Sequence, residues 1–189
     1  MKFKLEIELG NDASPPTGVP SVPCQEAPPW PIDHALLGVN DMSRPNWHRY
    51  FLDIAKAVST RATCNRAHVG AVIVKDKTIL STGYNGSPSG CPHCDDDGHM
   101  MRTIGDKQSC VATVHAEANA IAQAAKKGIA TEMSTIYCTH NPCFECTKLL
   151  INAGIREIIY ENYYESRLTK EASELAHRAG VGLIHYVDG

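Results

Sequence analysis

His115-Ala116-Glu117 and Pro142-Cys143-Phe144-Glu145-Cys146 each stand where a helix is predicted to begin, with one strand between them, and any fold of this chain must satisfy the chemistry they share. Cys143 and Cys146 are three residues apart in a first helical turn, so both sulfurs can reach one ion while the helix N-terminus favours thiolate over thiol. His115 supplies a third donor. One imidazole and two thiolates leave the fourth tetrahedral position of a zinc ion to water, the arrangement that separates catalytic zinc sites from closed structural ones. Zinc lowers the pKa of such a water to about 7. Glu117 is not required as a ligand and stays free to carry protons. Residues i and i+2 point to different faces of a regular helix, so His115 and Glu117 must sit at an irregular first turn.

Around this pair the pattern is that of one domain. The chain has 189 residues, 43% hydrophobic and 21% charged, enough for a sizeable core. Pro15 to Pro31 holds seven of the eleven prolines, and residues 1–41 read as an irregular or disordered Pro-rich extension that also contains Cys24. The folded domain is expected over 42–189. Ser43, Arg44 and Pro45 suggest the cap and first turn of a helix with Phe51, Ile54, Ala55 and Val58 on its apolar face. Val69 to Lys75 and Thr78 to Tyr84 are β-branched runs separated only by Asp76 and Lys77, which predicts an antiparallel hairpin. From Asn85 to Cys110 the pattern dissolves into Gly, Pro, Asp, Cys and His, a loop long enough to need a function or a staple of its own.

Helix and strand then alternate to the end: His115 to Lys127 stopping at Gly128, Ser134 to Thr139, Cys143 to Ala153 stopping at Gly154, Ile155 to Tyr160, Ser166 to Ala179 stopping at Gly180, and Val181 to Val187. This order implies an α/β fold with a mixed five-stranded sheet covered by helices on both faces. Cys138, inside a predicted strand, reads as a small core residue.

A formal net charge of -3 argues against a broad basic surface, hence against polymeric nucleic acid as a partner. Residues 1–10 lack the apolar region of a secretory signal, and no 18-residue apolar run occurs, so a soluble cytoplasmic protein without membrane contact is expected. In such a reducing compartment eight clustered cysteines point to metal or reactive thiols rather than disulfides.

The H-x-E and P-C-x-x-C pair resembles the signature of zinc-dependent deaminases. From about Arg44 to Val187 the sequence resembles deoxycytidylate (dCMP) deaminases, including the late-competence branch of bacteria. The resemblance is carried by Cys64-Asn65-Arg66, Val69-Gly70-Ala71-Val72-Ile73-Val74, Gly83-Tyr84-Asn85-Gly86-Ser87-Pro88-Ser89-Gly90, His115-Ala116-Glu117-Ala118-Asn119-Ala120-Ile121 and Pro142-Cys143-Phe144-Glu145-Cys146. It implies a cytidine-deaminase-like three-layer α/β/α sandwich, a homo-oligomer that is commonly a hexamer, hydrolysis of dCMP to dUMP and ammonia for thymidylate synthesis, activation by dCTP and inhibition by dTTP. Glu117 would be the catalytic proton carrier. The family often carries a second, structural zinc, and the matching positions are Cys64, Cys94, His99 and Cys110, with Cys91 and His93 as competing choices.

For the substrate, the Asn85 amide can both donate to and accept from a sugar hydroxyl, although Asn-Gly is also ordinary turn chemistry. Arg66 is the candidate phosphate clamp, since a planar guanidinium grips two phosphate oxygens; a solvated surface Arg is the alternative. Tyr164 resembles a family position near the nucleotide, with core packing as its other reading. Two rival functions remain: a deaminase of cytidine, dCTP, guanine, a riboflavin precursor or an RNA base, and a non-catalytic interaction module stapled by zinc. Glu117 discriminates against the module, because a structural site has no use for a free carboxylate beside an open position.

Overall fold

The computed structural model describes residues 44–105 and 107–188. The Pro-rich stretch 1–41 lies outside the described residues. Helix α1 (Trp47–Ser59) begins later than its sequence suggests: Asn46 is the N-cap, and its side-chain oxygen accepts from the Arg49 amide at 2.9 Å. An Asx oxygen aimed at the third amide is the stronger start signal, so Arg44 and Pro45 precede the helix instead of forming its first turn. Phe51, Leu52 and Ala55 are buried on its inner face, with Ile54 and Val58 packed at the edge.

Strands β1 (Gly70–Lys75) and β2 (Thr78–Tyr84) form the expected antiparallel hairpin, closed by Asp76 and Lys77 at φ of 49° and 62°. Positive φ at both turn residues matches the right-handed twist of the strands. The Asn85–Cys110 stretch, expected as one irregular loop, contains a single helical turn, α2 (Cys94–Asp97), and a small hairpin of β3 (Met101–Ile104) and β4 (Lys107–Cys110). Four-residue strands carry too few alternating residues to show a period. Helix α3 (Ala116–Lys126), β5 (Ser134–His140), α4 (Phe144–Asn152), β6 (Ile155–Asn162), α5 (Thr169–Arg178) and β7 (Gly182–His185) complete the order.

The main sheet has five strands in the order β2-β1-β5-β6-β7, with β1 antiparallel to both neighbours and β5, β6 and β7 parallel. It is the mixed α/β sheet the element order implies. Successive β1 residues face opposite layers. Val72 and Val74 join Phe51, Leu52 and Ala55 under α1, while Ala71 and Ile73 join Ala116, Ala120 and Leu150 under α3 and α4. Cys138 is fully buried in that second cluster, as its strand position suggests. No helix among the described residues is long and apolar enough to cross a membrane.

Helix α3 is held against β2 by backbone contact. A methyl group on Gly83 would stand 2.2 Å from the Ala116 carbonyl oxygen and 2.4 Å from the Ala120 amide nitrogen, and Ser81 Oγ donates to the Ala120 carbonyl at 2.9 Å. Gly83→Ala should therefore push α3 outward and cost about 1–3 kcal/mol, read as a lower midpoint of chemical denaturation. An unchanged midpoint would contradict this packing.

Candidate active site

The N-termini of α3 and α4 supply the first donor set. His115 is the N-cap of α3 at φ −71° and ψ 153°, and Cys143 is the N-cap of α4 at φ −71° and ψ 169°, so both stand in extended backbone just ahead of their helices. Cys146 follows one turn into α4. The donor atoms of His115, Cys143 and Cys146 all lie within 4.8 Å of one another, with His115 Nδ1 at 3.4 Å from each sulfur. The extended N-cap also removes the conflict between His115 and Glu117, since the first of them is not helical. Glu117 lies in the first turn of α3 and is 4% exposed.

The electrostatics suit a cation. A bond with Cys146 and one with His115 hold the Cys143 thiol down to about 4, against the opposing effect of burial. Its bond to Cys143 raises His115 to about 9. Cys146 moves up because of its bond to Cys143 and its burial. A soft divalent ion would replace such protons, and an imidazole with two thiolates is a set that zinc takes. Burial raises the Glu117 carboxyl, which leaves it able to hold a proton and release it again.

A second set assembles where α2, the β3–β4 hairpin and the segment before β1 meet. Donor atoms of Cys64, Cys94, His99 and Cys110 also lie within 4.8 Å of one another. His99 Nδ1 is 3.8 Å from Cys64 Sγ, and its other ring nitrogen is 3.1 Å from Asn65 Oδ1, an outer contact that fixes the ring. Burial pushes the Cys94 thiol up, whereas bonds from Thr113, the Ala112 amide and His99 outweigh burial and pull Cys110 to about 6. Four N and S donors fit a closed tetrahedral zinc site. Cys91 is exposed, and neither it nor His93 belongs to the group.

The three substrate candidates are differently disposed. Asn85 is buried at the end of β2, where its Oδ1 accepts from the Val69 amide at 2.7 Å and its Nδ2 donates to the Ala67 carbonyl at 2.8 Å. One lone pair and one amide hydrogen remain. Arg66 is exposed and donates to the Gln108 carbonyl of β4 at 3.0 Å, so part of its guanidinium is tied to the small hairpin. Tyr164 has an exposed ring, with Lys107 Nζ 5.9 Å from its centroid, so it does not pack in the core. Its backbone is clasped by Asn141, which accepts from the Tyr164 amide and donates to its carbonyl at 3.0 Å. Sequence reasoning did not single out Asn141. Its one signal is its place two residues before Cys143.

The family model described as "Cytidine and deoxycytidylate deaminase zinc-binding region" matches residues 45–162. ComE operon protein 2 of Bacillus subtilis is 44% identical over 140 residues, covering 74% of this chain and 71% of its own length. The deoxycytidylate deaminase of Mycobacterium phage D29 is 40% identical over 127 residues, covering 63% of this chain and 97% of its own. The crystal structure of dCMP deaminase from the cyanophage S-TIM5 in complex with dCMP and dUMP superposes with a TM-score of 0.63 at 29% identity, covering 76% of this chain and 99% of that one.

Proposed function

Since the chain belongs to the cytidine and deoxycytidylate deaminases, we propose that it hydrolyses dCMP to dUMP and ammonia, with His115, Cys143 and Cys146 holding a catalytic zinc and Glu117 moving the protons. One observation carries the reading: a buried carboxylate beside a donor set that is one ligand short of closure. A stapled interaction module has no use for that pairing. Zinc held there supplies Lewis acidity, which brings water within reach of deprotonation near pH 7. Glu117 accepts the proton that water loses as its oxygen joins C4 of the cytosine ring, and gives it to the ring nitrogen N3. It then carries the remaining hydroxyl proton to the exocyclic nitrogen, so ammonia departs as the carbonyl forms. Burial keeps bulk water from exchanging with that proton.

Cys64, Cys94, His99 and Cys110 would hold a second zinc that closes its own shell and does no chemistry. Asn85 would use its remaining amide hydrogen and lone pair on the sugar, and Tyr164 would border the nucleotide. Homo-oligomer assembly and control by dCTP and dTTP complete the proposal. Ammonia release from cytidine, CMP, dCMP and dCTP, each with and without dCTP or dTTP as effector, tests it. Turnover of dCMP should exceed the others, and a preference for cytidine would replace the nucleotide reading by a nucleoside one.

Arg66 would serve as the phosphate clamp through the guanidinium hydrogens that Gln108 leaves free. Hydrogen bonds to a charged group contribute about 1.5–3 kcal/mol each, so Arg66→Ala should lower kcat/KM for dCMP by roughly 10- to 150-fold. Deoxycytidine has no phosphate, and its slow turnover should change little. Equal losses on both substrates would instead assign Arg66 to holding the β3–β4 hairpin.

A further inference from the structure

Two hydroxyl groups outside both donor sets touch the sulfurs of the second set. Ser87 Oγ lies 3.7 Å from Cys94 Sγ, and Thr113 Oγ1 donates to Cys110 Sγ at 3.4 Å while standing 3.7 Å from Cys94 Sγ. Ser87 belongs to the Asn85–Gly86–Ser87 turn that leaves β2, and Thr113 comes two residues before His115. These two segments are paired directly: the Gly86 amide donates to the Val114 carbonyl at 3.1 Å, and the Val114 amide donates back at 2.8 Å. A third tie comes from the residue before Cys64. The Thr63 amide donates to the Asn85 carbonyl at 3.2 Å, and a methyl group on Gly86 would fall 2.5 Å from Thr63 Oγ1. The turn and the approach to His115 therefore hang from the four-residue cluster on three sides.

We infer that Ser87 and Thr113 are positioning residues, through which the Cys64, Cys94, His99 and Cys110 cluster sets nucleotide affinity at the Asn85 turn. The inference rests on the reading of both clusters given above. A staple that only tethered a loop would act through its four donors alone. Here hydroxyls of the two active-site segments touch its sulfurs. Outer contacts of this kind orient donor residues and the backbone that bears them. Losing one neutral hydrogen bond shifts an equilibrium by about three- to tenfold.

The test uses the full chain loaded with zinc and compares Ser87→Ala, Thr113→Val and Thr113→Ser. It measures steady-state kinetics on dCMP, zinc per chain, and amide hydrogen exchange at Gly86 and Val114. Ser87→Ala and Thr113→Val should raise KM about three- to tenfold, change kcat less than about twofold, and speed exchange at both amides by a similar factor. Thr113→Ser keeps the hydroxyl and should restore KM and exchange. A lower melting temperature with KM and both exchange rates at wild-type values would overturn the inference and leave the cluster a loop staple. Failure of the wild type to turn over dCMP would defeat the deaminase reading instead. The exchange rates still decide the inference in that case, because unchanged rates at Gly86 and Val114 reject it without reference to turnover.

Discussion

Glu117→Gln should fold, keep its zinc and lose activity by about 10²–10⁴ in kcat, because in the proposed reaction a single carboxylate would serve several proton transfers and the amide could serve none. The donor set His115, Cys143 and Cys146 does not include it, so metal content should match wild type. Its burial adds a second readout of opposite sign. Burial raises the folded carboxyl above its ordinary 4.5, so the ionised side chain costs the folded state at neutral pH, whereas glutamine carries no charge to bury. With zinc removed, the variant should therefore melt no lower than wild type. Its advantage should open as pH rises past the ordinary value, where the unfolded chain ionises first, and be complete above the raised folded value. More than about a tenth of wild-type turnover would remove Glu117 from the proton path.

Cys143→Ser and Cys94→Ser should fail in different ways, since each belongs to one donor set. Purified wild type should contain two zinc ions per chain. Cys143→Ser should lose one of them together with measurable turnover, while the sheet and both sulfur-lined loops persist. Cys94→Ser should lose the other, and with it the tie between α2 and the β3–β4 hairpin, lowering the melting temperature on the order of 10 °C. That loss is larger than a buried serine alone explains, because Cys94 is 4% exposed, its sulfur lies 3.6 Å from Cys110 Sγ, and losing the ion would release all four donors at once. A single zinc in a folded, active wild type would refute the division of labour.

The features legible from residue order alone are local ones. Cys143 and Cys146 sit one helical turn apart, and an N-terminal turn brings such a pair onto one ion whatever surrounds it. Helix ends were legible for the same reason: Gly128, Gly154 and Gly180 have φ of 67°, 75° and 70°, a conformation glycine adopts without steric cost. The β1–β2 hairpin follows from alternation around a two-residue turn, and the mixed sheet from the order of its elements. The incompatibility of His115 and Glu117 on one helical face even predicted an irregular first turn, which the extended N-cap at His115 supplies.

Tertiary structure decided whatever depends on residues distant in the chain. Asn46 rather than Ser43 or Arg44 opens α1, because the cap needs an oxygen aimed at a particular amide. The small β3–β4 hairpin is too short to show a period, so its pairing follows from the cluster that gathers its ends. Arg66 meets Gln108 forty-two residues away, and Asn141 clasps Tyr164 across twenty-three. The side-chain amide of Asn85 finds Val69 and Ala67 sixteen and eighteen residues away, and the Thr113 hydroxyl meets Cys94 across nineteen. Composition and spacing identify which side chains can do the chemistry, since that is a property of atoms and short-range geometry. Which backbone holds each of them in place is set by long-range packing, whose pairwise contacts leave no periodic trace in a single sequence.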